Sequence, residues 1–246
     1  MIGHPFIELQ SVDSTNNYAM AQVHAGLAFH GTTYFSYEQL NGRGQRGKSW
    51  VTKPGENITM SILLEPDFLR PMQQFILSAS IARGSYDFLI KYFPDDWYIK
   101  WPNDLYWRDR KAGGILIESI CKGDKWLFAV VGMGININQT RFPADISRAI
   151  SLKQITGKTY EVKKLAMELC NSIGTIYEQL RNEDYDKIIE SYNECLYKRN
   201  ELVRLKKGNI IFETTIKEVT AQGQLITVNG MERSFDLSEI EWVFDE

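Results

Sequence analysis

The chain has 246 residues, of which 43% are hydrophobic and 24% charged, and a formal net charge of −3. That length holds one large domain, or a medium one and a small one, and the composition is that of a soluble globular protein. The acidic balance argues against a broad nucleic-acid surface, since phosphate contacts call for a basic domain, and no apolar run is long enough to span a bilayer.

Phe6-Ile7-Glu8-Leu9 reads as a first strand. Asp13-Ser14-Thr15-Asn16 is a cluster of helix-capping residues, and residues 18–25 continue as a helix stopped by Gly26. Residues 32–37 form a strand that enters a glycine-rich loop. Residues 57–64 are the next strand, rich in β-branched and apolar side chains. From Pro71 to Tyr92, Phe75, Ala79, Ala82, Tyr86 and Leu89 recur at helical spacing. Residues 97–101 are a short strand stopped by Pro102. Residues 112–120 and 126–137 form a hairpin around Lys122-Gly123-Asp124. Helices follow at residues 162–180 and 185–197. Near Arg199-Asn200 the pattern changes to short strands at 202–205, 210–219, 225–229 and 233–237, with Gly208, Gly223 and Gly230 at the turns. Strands first and helices later indicate an α+β fold rather than alternating βαβ units. The last strands suggest a small β-barrel that leans on the larger part, because so small a core is marginal alone.

Cys121, Cys170 and Cys195 are widely spaced with no C-x-x-C pair. This points to a reducing compartment without a disulfide framework or zinc site. His4, His24 and His30 form no ligand pattern. With no signal peptide recognisable, the expected location is cytoplasmic.

Three stretches carry chemistry. The first, residues 42–50, holds Gly42, Gly44 and Gly47 with Arg43, Arg46 and Lys48. Glycines let backbone approach a ligand closely. Successive N–H groups with added cations make an anion-binding concavity. The spacing also fits the dinucleotide and P-loop fingerprints, but both need a helix where the glycines end. Pro54 and Gly55 argue against one. An ordinary polar surface loop has the same composition. The second stretch, residues 100–118, places Asn103 and Asp104 after Pro102. Asp104 suits magnesium, which takes one or two carboxylates plus phosphate oxygens, although an Asn-Asp pair also simply forms turns. Lys111 precedes Gly113 and Gly114, where a ligand can meet strand backbone; a solvated lysine is the common alternative. The third stretch, residues 132–138, is a strand weakened by Gly132, Gly134, Asn136 and Asn138. Something lying against it, or a β-bulge, would explain that.

In this order, Asp13-Ser14-Thr15-Asn16, Gln39 with residues 42–50, residues 100–118 and residues 132–138 resemble the biotin–protein ligase family, over nearly the whole chain. The resemblance implies a mixed-sheet catalytic domain over residues 1–199 and an SH3-like β-barrel over residues 200–246. It implies that biotin and ATP, with Mg2+, give biotinyl-5′-AMP, from which a lysine of a biotin carboxyl carrier protein takes the biotin. Joining two anions needs concentrated positive charge, which the resemblance assigns to Arg43, Arg46, Lys48 and Lys111. By position, Ser14, Thr15, Asn16 and Gln39 would contact biotin, and Arg43, Gly44 and Gln45 would belong to a loop closing over it. Trp50 would pack beside the nucleotide, and Lys111 would hold the carboxylate and acyl phosphate. Gly113 and Gly114 would meet the ligand along the strand. Asn103 and Asp104 would serve adenine and metal, and Asn136 and Asn138 would lie near the nucleotide. Many relatives carry arginine where this chain has Gln45. No helix-turn-helix segment precedes Phe6, so the monofunctional type without DNA binding is expected. The alternatives are a lipoate-type ligase and a non-catalytic biotin-binding regulator. Whether two chains pair as a homodimer is left open.

Overall fold

The computed structural model of the chain describes residues 1–146, 148–182 and 184–244. Residues 147, 183, 245 and 246, which fall within the two expected domains, lie outside it. The elements in chain order are β1 (Phe6–Val12), α1 (Thr15–His24), β2 (Thr33–Gln39), β3 (Asn57–Leu64), α2 (Gln74–Leu89), β4 (Trp97–Lys100), β5 (Asp104–Trp107), β6 (Arg110–Lys122) and β7 (Lys125–Asn136). Then come α3 (Leu152–Thr156), α4 (Val162–Arg181), α5 (Tyr185–Glu194), β8 (Leu202–Lys207), β9 (Ile210–Val219), β10 (Leu225–Asn229), β11 (Met231–Phe235) and β12 (Glu241–Val243).

The first seven strands make one sheet in the order β1-β2-β3-β7-β6-β5-β4. Only β1 and β2 run parallel, joined through α1 as a single βαβ unit; the other pairs are antiparallel. The sheet is therefore mixed, as expected. The sequence reading passed over β5, α3 and β12. β5 has four residues and begins with Asp104, a poor strand former, so it exists through its partners β4 and β6. β12 has only three residues and exists through its pairing with β8. α3 is one short turn closed by a Ser151–Gln154 capping box and by Gly157 at φ 73°, the left-handed position that favours glycine after a helix.

Alternation along β3 divides the sheet into two faces. Ile58, Met60, Ile62 and Leu64 point into the main core, where Leu77, Ile81 and Ala82 of α2 and Leu169 and Ile173 of α4 cover them. Gly84 permits the α2–α4 contact, because a Cβ there would lie 3.0 Å from the Ile173 Cα. On the opposite face α1 covers one corner, packing Ala19 against Tyr34, Leu63 and Val130. The rest of that face lies beneath the glycine-rich loop.

β8–β12 form a separate antiparallel sheet in the order β11-β10-β9-β8-β12, the small C-terminal β domain. Its interior, with Leu205, Ile216, Val219 and Leu225, is continuous with the main core. Asn193 exchanges two hydrogen bonds with the Val219 backbone, at 2.9 and 2.7 Å. The Trp101 indole donates to the Gly223 carbonyl at 2.9 Å. These contacts supply what a core of this size lacks by itself.

Candidate active site

The uncovered face is read most simply across the strands. Lys100, Asp104, Gly114, Gly134 and Thr59 are successive register partners on β4, β5, β6, β7 and β3. One step along lie Leu116, Gly132 and Ser61. The glycines make this floor concave. A Cβ on Gly132 would lie 2.2 Å from the Asn16 Oδ1, and one on Gly134 would lie 2.3 Å from the Trp50 ring. Gly132→Ala is therefore expected to cost about 1–3 kcal/mol by overpacking. Urea denaturation measures this, and an unchanged midpoint would mean that Asn16 swings aside freely.

Over Gly132 runs a chain of buried and part-buried polar groups. The Glu118 Oε2 accepts from the Asn16 Nδ2 at 2.8 Å. The Ser61 hydroxyl lies 2.6 Å from the Asn16 Oδ1 and 2.7 Å from the Thr15 hydroxyl. The Gln39 Oε1 accepts from the Thr15 N–H at 2.8 Å and from its hydroxyl at 3.0 Å. Thr15 and Asn16 thus face the sheet from the first turn of α1. Ser14 takes the N-cap position, without a side-chain cap bond. Sequence reasoning missed Ser61 and gave Glu118 no role. The alternation Asn57, Thr59, Ser61 reads from sequence as the solvent face of a half-buried strand; only the structure shows that the strand is buried along its whole length.

The other end is cationic. Lys111 and Asp104 form an ion pair at 2.7 Å. A bulge makes this pair. Leu105 pairs with Gly113 but Tyr106 pairs with Lys111, so Ala112 is an extra residue on β6. Without it, period two would send Lys111 to the core face beside Gly113 and Ile115. The Lys111 Nζ instead lies 3.4 Å from where a Gly114 Cβ would be and 5.6 Å from the Trp50 ring centre. The indole N–H of Trp50 is buried with no acceptor in the structure.

Lys100, not singled out from sequence, is 9% exposed. Among the described residues it has no ion pair, and its ammonium sits 4.9 Å from the Trp242 ring, 5.4 Å from Tyr106 and 5.5 Å from Phe244. Burial pushes its pKa down to about 8, against the pull of Asp104 and helped by Lys111 and Lys48.

Several expected residues take other tasks. Gly113 faces the core side, against Leu105 and Ile135. Asn103 is buried and ties its turn to Ile115 through its amide and its carbonyl. Asn136 donates to the Ile150 carbonyl at 3.1 Å. Both amide atoms of Asn138 bond the Tyr160 backbone, at 2.8 and 3.0 Å. These asparagines fasten loops around the cleft.

The glycine-rich loop is a hairpin closed by the Trp50 N–H to Gly42 carbonyl bond at 2.8 Å and the Gly44 N–H to Lys48 carbonyl bond at 2.7 Å. A Cβ on Gly42 would lie 2.3 Å from the Trp50 carbonyl oxygen, so the neck requires glycine. No α-helix follows; Gln45–Gly47 make a single 3-10 turn with Arg46 at φ 55°. A cavity of about 350 Å³ lies within the curl, bounded by Gln39, Gly42, Trp50 and Val51 among others. The expected cations divide: Lys48 and Lys111 both lie close enough to Lys100 to act on its charge, while Arg43 lies apart. Arg43 turns back to Glu118 at 3.0 Å, roughly 20 Å along β6 from Lys111 at 3.3 Å per residue. Arg46, Gln45 and Lys48 lie toward the loop tip, with Arg46 and Lys48 exposed.

Among the described residues no group of three or more His, Cys, Asp and Glu is placed to hold a metal ion. Asp104 offers one carboxylate, of which Lys111 takes one oxygen. That donor set fits a magnesium ion carried in on phosphate oxygens.

Fold and site define an α+β protein whose mixed sheet floors a cleft, hydrogen-bonding at one end and cationic at the other. The profile of the biotin/lipoate A/B protein ligase family matches residues 8–136. The bifunctional ligase/repressor BirA of Salmonella typhimurium is 32% identical over 176 residues, covering 71% of this chain and 54% of that protein. The biotin–[acetyl-CoA-carboxylase] ligase of Mycobacterium tuberculosis is 28% identical over 173 residues, covering 69% and 62%. The chain spans about half the length of the ligase/repressors it matches in Salmonella and Bacillus. The solved biotin protein ligase of Aquifex aeolicus, in complex with biotin and ATP, has a TM-score of 0.80 at 24% identity over 96% of this chain and 97% of that one, a likeness of fold. This chain belongs to the biotin/lipoate A/B protein ligase family.

Proposed function

We propose that the chain is a biotin–protein ligase that makes biotinyl-5′-AMP from biotin and ATP and passes biotin to a lysine of a biotin carboxyl carrier protein. The observation that carries this reading is the glycine floor running between the Asn16–Ser61–Thr15–Gln39 chain and the Lys111–Asp104 pair. The hydrogen-bonding end suits a ureido ring, which carries N–H donors and a carbonyl. The dithiolane of lipoate offers no N–H donor and no carbonyl, so it would gain none of the hydrogen bonds this end can make, each worth about 0.5–1.5 kcal/mol net. A non-catalytic binder has no need of the cationic end.

In this reading the carboxylate of biotin attacks the α-phosphate of ATP beside Lys111, the α–β phosphoanhydride bond breaks and pyrophosphate leaves. Lys111 and Lys100 neutralise charge that grows in the transition state, and Arg46 and Lys48 add to it as the loop tip closes. Magnesium bound to the phosphates would shield their charge, with Asp104 as its protein ligand. Trp50 would give its buried N–H to the adenylate. Arg43 holds the loop at the ring end rather than joining the phosphate cluster. The carrier lysine then attacks the acyl phosphate and AMP leaves, a step favoured by holding the activated acid in place. Three free thiols, one of them exposed, suit a reducing cytoplasm. No helix of the described residues is long and apolar enough to cross a membrane.

Biotin-dependent ATP–pyrophosphate exchange tests the reading. Exchange is expected with biotin and magnesium and not with lipoate; exchange indifferent to the acid would overturn the substrate assignment.

A further inference from the structure

We propose that Glu118 is a positioning residue that ties the glycine-rich loop to the orientation of the Asn16 amide, so that one carboxylate sets both the lid and the ring-binding end of the cleft. The second half of this rests on the biotin–protein ligase reading.

Glu118 lies on the cleft face of β6, two register steps from Gly114. Its Oε1 accepts from the Arg43 Nη2 at 3.0 Å. Its Oε2 accepts from the Arg43 Nη1 at 3.3 Å and from the Asn16 Nδ2 at 2.8 Å. The Arg43 Nη1 also reaches the Asn17 Oδ1 at 2.8 Å. The arginine fork therefore spans β6 and α1, and it grows from the loop residue next to the Gly42 neck, where Arg43 bridges Ser49. A forked arginine–carboxylate pair fixes angle as well as distance. Trp50 leaves that same neck to press on Gly134, so the anchor on Arg43 sets where the indole lies.

The second consequence is directional. An ionised carboxylate only accepts. It therefore compels the Asn16 NH2 to face Glu118 and the Asn16 Oδ1 to face Ser61. The Ser61 hydroxyl and the Thr15 hydroxyl pass that order on to Gln39, whose Oε1 is held by Thr15. A glutamine at 118 would offer both a donor and an acceptor, and Asn16 could then sit either way round. Arg43 would lose its counter-ion in the same change.

Glu118 lies far from Lys111, so its removal should weigh more on binding at the ring end than on the chemical step. With Glu118→Gln, the KM for biotin in pyrophosphate exchange is expected to rise about ten-fold or more, from the loss of charged hydrogen bonds. The kcat and the KM for ATP should change less than the KM for biotin, because Lys111 and Lys100 are held by the sheet and not by the loop. Glu118→Asp, which keeps an acceptor-only charge, should recover most of the difference. A second measurement does not depend on the substrate. Trypsin cleaves after Arg46 and Lys48, both exposed on the loop, and Glu118→Gln should be cut there several-fold faster than the wild type or Glu118→Asp. Equal cleavage of all three, or a Glu118→Gln effect confined to kcat, would overturn the proposal. Were the wild type to lack biotin-dependent exchange, the functional reading would fall, while the trypsin comparison would still decide whether Glu118 anchors the loop.

Discussion

Lys111→Ala should lower the rate of adenylate formation by about 10²–10³-fold, the usual result of removing one preorganised group that meets developing charge. The variant should still fold. The backbone of Lys111 is held independently of its side chain, by the N–H to Arg148 carbonyl bond at 2.7 Å and the Ile150 N–H to Lys111 carbonyl bond at 2.9 Å. The ion pair with Asp104 is part-exposed, and such pairs contribute under about 1 kcal/mol. The effect should fall on kcat rather than on the KM for biotin, because the ring end of the cleft is assembled by Asn16, Ser61, Thr15 and Gln39. Pyrophosphate exchange at saturating biotin, with circular dichroism to verify the fold, measures this. A folded variant with full exchange would remove Lys111 from the chemistry.

Lys100→Met is expected to make the protein more stable at pH 7. Burial lowers the Lys100 pKa from the ordinary 10.5 to about 8, a difference worth about 3 kcal/mol at 1.36 kcal/mol per pH unit. The sign follows from proton binding. Between about pH 8 and 10.5 the unfolded chain holds the proton and the folded chain does not, so stability rises with pH across that window. Below pH 8 the folded protein carries the full penalty of a buried ammonium. The three rings around Lys100 return part of it, at about 0.5–2 kcal/mol for a desolvated cation–π contact. A net gain of about 1–3 kcal/mol remains for Lys100→Met at neutral pH, or a rise in Tm of about 2–4 °C per kcal/mol for a chain of this size. The gain should shrink as the pH climbs past 8. Melting curves of both proteins at pH 7 and near pH 10 measure it; a loss of stability at pH 7, or a difference independent of pH, would refute it. In the proposed function, a charge kept at such a cost on the same transverse row as Asp104 would serve the ligand rather than the fold.

Much of the fold was legible because local pattern and tertiary structure agree. β3, β9 and β10 begin and end where β-branched and apolar runs meet turn residues, and α4 follows its helical periodicity from Val162 to Arg181. The change of pattern near Arg199 marks the passage into the second sheet. The residues of the cleft were also legible as types. Glycines weaken β7 at 132 and 134 because Asn16 and Trp50 lie against them, and the capping cluster before α1 turned out to place two of its members on the sheet.

Arrangement was another matter. Period two along β6 would group Lys111 with Gly113 and Ile115. Only the bulge at Ala112, created by pairing with β5, turns the lysine into the cleft beside Asp104 and Gly114. Arg43 and Lys111 looked like partners as cations, yet the loop folds into a hairpin that carries Arg43 to Glu118. Lys100 read as an ordinary strand residue until Trp242 and Phe244, more than a hundred positions later in the chain, closed over it. Composition, periodicity and turn chemistry act within a few residues, and they determined which elements form and which faces can be buried. The side-chain register, the ion-pair partners and the desolvation of a single lysine depend on contacts between segments far apart in sequence, and these only the packed sheets could decide.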